Sequence, residues 1–187
     1  VIYKFASLLV IVNGVQKYAN LNNYHYVITT YDENGLAEKE ECWFKDGVSK
    51  TINTLYKNNN ASGVSTYINY NEEKGYIDDG ENTTEINYDE YIMFHRNYEN
   101  GYQLYSRLPD EITKLNFKQI IQKAIGNYTI NLQNNGEKIF LYTNNSFLTL
   151  DKETILPVSF FNCENKDEQI LNYDYKIEIN CVSTIEI

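Results

Sequence analysis

Tight polar turns recur along this chain at intervals that leave room for little except antiparallel strands. The clearest case is Phe147–Phe161, FLTLDKETILPVSFF. Leu148 and Leu150 lead into Asp151-Lys152-Glu153-Thr154, and Val158, Phe160 and Phe161 follow. Polar turn residues between two β-prone runs are the signature of a hairpin. Pro157 has no N–H to give to a ladder, so it belongs at the first residue of its strand or on an edge. Asp32-Glu33-Asn34-Gly35 and Asn134-Asn135-Gly136 are turns whose Asn-Gly pairs suit positive φ, and Asp46-Gly47 reads as another tight turn. Near the C-terminus Tyr173, Tyr175, Ile177 and Ile179 alternate with Asn172, Asp174, Lys176, Glu178 and Asn180. That strand has one wet side, as in an antiparallel sheet with a solvated face.

Between these turns the predicted strands are Tyr24–Tyr31, Leu36–Lys45, Val48–Tyr56, Val64–Tyr70, Gly75–Asp78, Tyr128–Leu132 and Lys138–Thr143. Lys57–Ser62 and Asp79–Thr84 read as polar loops. Three stretches carry helical spacing: 3–19, 88–98 and 117–125. The last has Asn116 as a candidate N-cap and Gly126 as its stop. Within 88–98, Met93 and Phe94 read as core rather than as a cofactor box. Strands do not alternate with helices, so a βαβ architecture is not expected. The expected fold class is α+β, with about 9–11 antiparallel strands in a strongly curved, open sheet and two or three helices covering its concave face. With 187 residues, the chain reads as one domain, 1–187.

The net charge of −10 argues against a nucleic-acid partner, which normally calls for a basic face, and against an anionic membrane surface. The chain has 18 tyrosines, and the abundance of Asn, Lys and Tyr partly reflects a coding bias towards A and T, so a single Tyr or Asn carries little weight. Cys42, Cys163 and Cys181 form no CxxC motif. An odd count leaves at least one thiol free or paired between chains, and a Cys163–Cys181 bridge is conceivable in an oxidising compartment. If their flanking strands form a direct hairpin, those two residues lie at its opposite ends and cannot meet. The longest apolar run, Ala6–Val12, is too short to span a bilayer. Residue 1 is Val, so the reading admits a signal or lipid anchor upstream.

No metal-ligating motif, phosphate loop or nucleophile motif is present, and no catalytic residue, metal or cofactor is expected. The two histidines are His25 and His95. His25, on a strand face with Val27, reads as an incidental polar residue. Glu40 and Glu41 are adjacent on a strand and therefore face opposite ways, while Asp89-Glu90 and Asp110-Glu111 read as helix starts, where acids are favourable. Aromatic residues are the remaining candidates for ligand contact. Tyr26, Trp43, Tyr67, Tyr142 and Phe160 would line a groove if the concave face is one; the alternative is that they are core.

Four features in order resemble the family of the lipoprotein carrier LolA, the receptor LolB and the N-terminal domain of the sigma-factor regulator RseB. An opening helix precedes a strand beginning at Asn23-Tyr24. A hairpin carries Trp43-Phe44-Lys45-Asp46-Gly47. A strand-rich middle holds helical insertions. Then comes Leu150-Asp151-Lys152-Glu153-Thr154-Ile155-Leu156-Pro157-Val158 before a final strand ending near Ile179-Asn180. The family turn often has Gly where this chain has Ile155. The composition suits a low-GC Gram-positive variant. The resemblance implies an open β-barrel, an extracytoplasmic place at the cell envelope, peripheral to the membrane or lipid-anchored, and a hydrophobic concavity for an acyl chain or apolar peptide. The alternative it implies is a sensory or regulatory domain that binds an envelope protein.

Overall fold

A computed structural model describes residues 21–58, 60–99, 131–142, 146–164 and 169–185, together with Leu9 and Asn13. The strands are β1 (Asn23–Asp32), β2 (Gly35–Lys45), β3 (Val48–Lys57), β4 (Asn60–Asn69), β5 (Lys74–Asp78), β6 (Thr83–Glu85), β7 (Asn131–Asn134), β8 (Lys138–Tyr142), β9 (Ser146–Asp151), β10 (Pro157–Glu164) and β11 (Gln169–Ile179). One helix, α1 (Tyr88–Glu99), is defined among the described residues. Among the described residues the strand order is β6-β5-β4-β3-β2-β1-β11-β10-β9-β8-β7. Strands β1 to β6 pair antiparallel with their neighbours, and so do β7 to β10. The expected large antiparallel sheet is therefore present. The helices expected at 3–19 and 117–125 lie outside the described residues, except that Leu9 and Asn13 have helical backbone.

The chain forms two compact units: residues 1–20 with 101–172, and residues 21–100 with 173–187. In the second, the antiparallel register decides which side chains go inside; it shifts between Thr30 and Tyr31, near the far end of the β1–β2 pair. Tyr24 stands opposite Phe44, Phe44 opposite Ser49, Ser49 opposite Ile68 and Ile68 opposite Gly75. Alternation along each strand puts Tyr26, Ile28, Cys42 and Thr66 on this same face. All are buried. Rings meet across the strands, with Tyr24 and Phe44 stacked at 4.9 Å. Such cross-strand aromatic pairs are the sheet's own stabilising unit.

Helix α1 closes one end of this face. Asn87 caps it: the Glu90 N–H donates to Asn87 Oδ1 at 3.0 Å, and the Asn87 N–H donates to Glu90 Oε2 at 3.0 Å. Ile86 before the cap and Tyr91 in the first turn are both buried, an arrangement that fixes the angle at which the chain enters the helix. Tyr91 and His95 lie against Tyr70, with centroids 6.4 and 6.2 Å away. That phase turns Met93 outward, and it is 68% exposed, so the expectation that Met93 is core is wrong; Tyr91 takes that place. The helix entry also explains Gly75. A Cβ there would come within 2.7 Å of Ile86 Cδ1 and 2.8 Å of the Tyr67 carbonyl.

Where the register begins, Asn23 ties the start of β1 to the segment that follows β11. Its Nδ2 donates to the Val182 carbonyl, its Oδ1 accepts from the Val182 N–H, both at 2.9 Å, and its own carbonyl accepts from the Asn180 N–H. The Asp46-Gly47 turn has positive φ at both residues, 49° and 79°, and is held from outside by Asn71 Nδ2, which donates to the Asp46 carbonyl. The expected loop at Lys57–Ser62 is corrected: Asn60–Ser62 already belong to β4, with a tight turn at Asn58 (φ 51°). These residues are polar because the hairpin tip is exposed on both sides, and not because the strand has ended.

In the other unit, Phe160 pairs with Leu148, Leu148 with Leu141, and Leu150 with Ile139. Pro157 is the first residue of β10, as its missing donor requires. Asp151 builds the turn before it. Its Oδ1 accepts from the Thr154 N–H and the Thr154 hydroxyl, each at 2.8 Å, and from the Glu153 N–H at 3.1 Å. The Thr154 backbone and hydroxyl bonds hold the Asp151 carboxyl below its usual range. Lys152 Nζ reaches the Gly136 carbonyl at 3.1 Å, joining this turn to the β7–β8 turn.

Ile155 has φ 62°, the left-handed region where a Cβ costs about 1–2 kcal/mol and a β-branched residue is rare. This is the position noted for often carrying Gly. Ile155→Gly is expected to raise the unfolding free energy by about 1 kcal/mol in urea denaturation. A loss of stability would mean that Ile155's side-chain packing outweighs its strain.

Candidate functional site

The register sorts the five candidate aromatics. Tyr26 stands opposite Cys42 on the covered face of its unit, whereas Trp43 stands opposite His25 and Lys50 on the other side of the same sheet. Tyr67 stands opposite Lys50 and Tyr76, so it shares the Trp43 side. A single groove therefore does not hold Tyr26 together with Trp43 and Tyr67. Phe160 and Tyr142 belong to the other unit. The Cα of Tyr142 stands opposite Phe147, one residue off the Phe160–Leu148–Leu141 row. Tyr26 is 4% exposed and Phe160 2%, so both are core.

Two polar constellations lie on opposite sides of β1 and β2. On the covered side, the Tyr26 hydroxyl donates to Glu40 Oε1 at 2.7 Å. Burial raises the Tyr26 phenol well above its ordinary value, and the neighbouring Cys42 and Glu40 add to the shift. Burial also pushes the Cys42 thiol up to about 12; a hydrogen bond with Thr51 opposes this and the Glu40 charge reinforces it. A thiol that holds its proton so firmly is neither a nucleophile nor a ready metal ligand. Next to Glu40 in the register is Asn53, whose Oδ1 is buried without a hydrogen-bond partner.

On the other side, His25 lies between two carboxylates. Its Nε2 is 3.0 Å from Glu41 Oε1 and its Nδ1 is 3.4 Å from Glu178 Oε2, while its ring stacks on Trp43 at 5.1 Å. Lys39 Nζ donates to Glu41 Oε2 at 2.7 Å. Burial alone would raise Glu41, but the Lys39 hydrogen bond and the His25 contact together bring it below its ordinary value. His25 is thus a working member of a network spanning β1, β2 and β11, and not the incidental residue that its place beside Val27 suggested. Sequence reasoning missed it because Glu178 lies 153 residues away. Alternation did place Glu41 on the same side as His25's neighbours.

The network lies across strand backbones and each polar atom faces another charged side chain. His25 meets two carboxylates and an indole, so it has the form of a cross-strand staple. Among the described residues, no group of three or more His, Cys, Asp and Glu side chains is placed to hold a metal ion. Nor does any helix there have the length and apolarity to cross a membrane. Cys42 and Cys181 are free thiols, one buried and one exposed; the Cys163 side chain lies outside the description.

No family model matches the chain, and no curated protein matches it. Among solved structures, the crystal structure of MucB is similar, with 12% identity and a TM-score of 0.46. The match covers 96% of this chain and 60% of that one, so the chain spans about three fifths of MucB's length.

At pH 8 a thiol of pKa about 12 is ionised in about one molecule in ten thousand. In the native protein, iodoacetamide should therefore label Cys181 and leave Cys42 untouched until the protein unfolds, as read by peptide mass mapping. Rapid native labelling of Cys42 would contradict its burial. Glu41 has a folded pKa below its unfolded value. The stability it contributes is present above the unfolded value and is lost as pH falls through the folded one. Glu41→Gln should accordingly flatten the acid limb of stability against pH below about pH 5. An unchanged limb would show that the Lys39–Glu41–His25 contacts do not couple to folding.

Proposed function

We propose that this chain is a non-enzymatic binding domain that works outside the cytoplasm at the cell envelope and recognises a partner protein with its exposed surface. The observation that carries this reading is the fate of the aromatics on the covered faces. Tyr26, Phe44 and Phe160, the side chains best suited to an acyl chain, are packed into the protein's own core. Surfaces that meet partners are instead found where apolar side chains stay in contact with water. Leu55, at the far end of the same unit, is 57% exposed.

The extracytoplasmic setting is supported by the resemblance carried by Asn23-Tyr24, the Trp43–Gly47 hairpin and the Asp151–Pro157 turn. On the fold which that resemblance implies, the sheet is a strongly curved open barrel. The non-catalytic reading is supported by the form of the His25 network, whose groups bond one another, and by the firmly protonated Cys42. A hydrophobic ligand is the second reading. It is favoured by the unpartnered Asn53 Oδ1 beside Glu40, because a buried acceptor without a donor is costly and a ligand's N–H or O–H group would satisfy it.

Native mass spectrometry after gentle purification separates the two. The chain is expected at its own mass of 21.9 kDa. A lipid retained at one per chain, and lost on Asn53→Leu, would overturn the partner reading in favour of the ligand.

A further inference from the structure

Among the described residues, the far end of the β3–β4 hairpin is a sheet edge with no strand paired to its outer side. Strand β4 pairs with β3 along its whole length, from Asn60 opposite Lys57 to Asn69 opposite Val48. Its other side is paired with β5 only from Ser65, opposite Asp78, to Asn69. Among the described residues, Asn60–Val64 therefore have a strand on one side alone, and Asn60–Gly63 are exposed. The direction of the free groups follows from the ladder. The Gly75 carbonyl accepts from the Ile86 N–H, so Gly75 and Ile77 turn away from β4, and Tyr76 and Asp78 turn towards it. Their partners Tyr67 and Ser65 then face outward from β3, and by alternation so do Gly63 and Ala61. Each presents an N–H and a C=O to solvent.

Such an edge is normally protected by charge, proline, a bulge or brevity. Here it is Asn-Ala-Ser-Gly-Val, with no charge and no proline, in a chain of net charge −10. The β3–β4 register runs through it without a shift. The side chains are small, so an added strand could approach closely, and the exposed Leu55 lies one strand behind Ser62 on the same face. Where β5 leaves β4, the chain turns through Asp78, Asp79, Gly80 and Glu81, all exposed. Asp78 Oδ1 accepts from the Gly80 N–H, and Asp79 Oδ1 from the Glu81 and Asn82 N–H groups, so the turn is fixed and its acids stand at one end of the free edge.

We infer that the Asn60–Val64 edge of β4 is a docking site for an extended segment of a partner protein that adds as a strand, its apolar side chain over Ser62 against Leu55 and a Lys or Arg against Asp78–Glu81. Main-chain bonds to Ala61 and Gly63 hold the segment, and the acidic turn sets its direction. A second copy of this chain would bring a like acidic turn to the same place and is disfavoured. The inference rests on the partner-binding reading and names where and how that partner binds.

The probe is the capped peptide Lys-Val-Thr-Leu-Thr, compared with Glu-Val-Thr-Leu-Thr. Binding is read by titration calorimetry and by amide hydrogen exchange at Ala61 and Gly63. The basic peptide should bind, protect those two amides, and weaken with added salt; the acidic peptide should bind at least about tenfold more weakly. Gly63→Pro removes an outward donor, and a Cβ at Gly63 meets nothing closer than Thr54 Oγ1 at 3.8 Å, so the β3 ladder is kept. That variant should lose about tenfold or more in affinity while its melting temperature stays close to that of the parent. Glu81→Lys, which leaves the edge intact, should remove the preference for the basic peptide. Equal binding by Gly63→Pro, or no protection of Ala61 and Gly63 at saturating peptide, overturns the inference. So does a dimer abolished by Gly63→Pro, which would assign the edge to a second copy. A lipid found by native mass spectrometry would remove the partner reading while leaving peptide binding at the edge to be scored by itself.

Discussion

The structure of residues 21–100 depends on one constraint, the antiparallel register from β1 to β5, which keeps its phase along β1 from Asn23 to Thr30. A strand's side-chain period is two residues, so a slip of a single residue would exchange every inside residue for an outside one. Tyr24–Phe44–Ser49–Ile68–Gly75 is the row that fixes the choice. Several otherwise unrelated features follow from it. Gly75 is glycine because the chain comes back over it at Ile86. Asn23 can clasp Val182 because β1 begins where β11 ends. His25, Glu41 and Glu178 meet because each sits on the outward side of its strand.

The same register divides the polar chemistry into two kinds. On the covered side, burial keeps the Tyr26 phenol and the Cys42 thiol protonated. Groups on the other side are ionised and satisfied by one another, as Glu41 is by Lys39 and His25. The proposed partner binding draws on a third kind of feature, outside both sets: an exposed hairpin tip and a fixed acidic turn.

Much of the architecture was legible in the sequence. Turn chemistry located the hairpins at Asn34-Gly35, Asp46-Gly47, Asn135-Gly136 and Asp151–Thr154. Pro157 marked a strand start, and the acids at Asp89-Glu90 marked a helix start. What was not legible has physical reasons. Asn60–Ser62 reads as loop because an edge strand exposed on both faces has no apolar alternation to announce it. Met93 reads as core because its hydrophobicity is visible in sequence, while the helix phase set by the Asn87 cap is not. Tyr26, Trp43 and Tyr67 were grouped by residue type, but their faces depend on registers that only pairing reveals. The His25–Glu178 contact spans most of the chain and has no local signature. The significance of Ile155 was half visible: the sequence marked the position, and its positive φ shows what is unusual there.

Trp43 reports on the register directly, because it is the single tryptophan of the chain. It is half-buried, stacked on His25 on the side away from Tyr24 and Phe44. Its fluorescence should show the long-wavelength emission of a partly hydrated indole, be quenched by acrylamide in the native protein, and change when His25→Ala removes the stacked ring. Short-wavelength emission that acrylamide cannot reach before unfolding would place Trp43 in the core. That result would shift the register by one residue and contradict the division of the sheet into a covered and an open side.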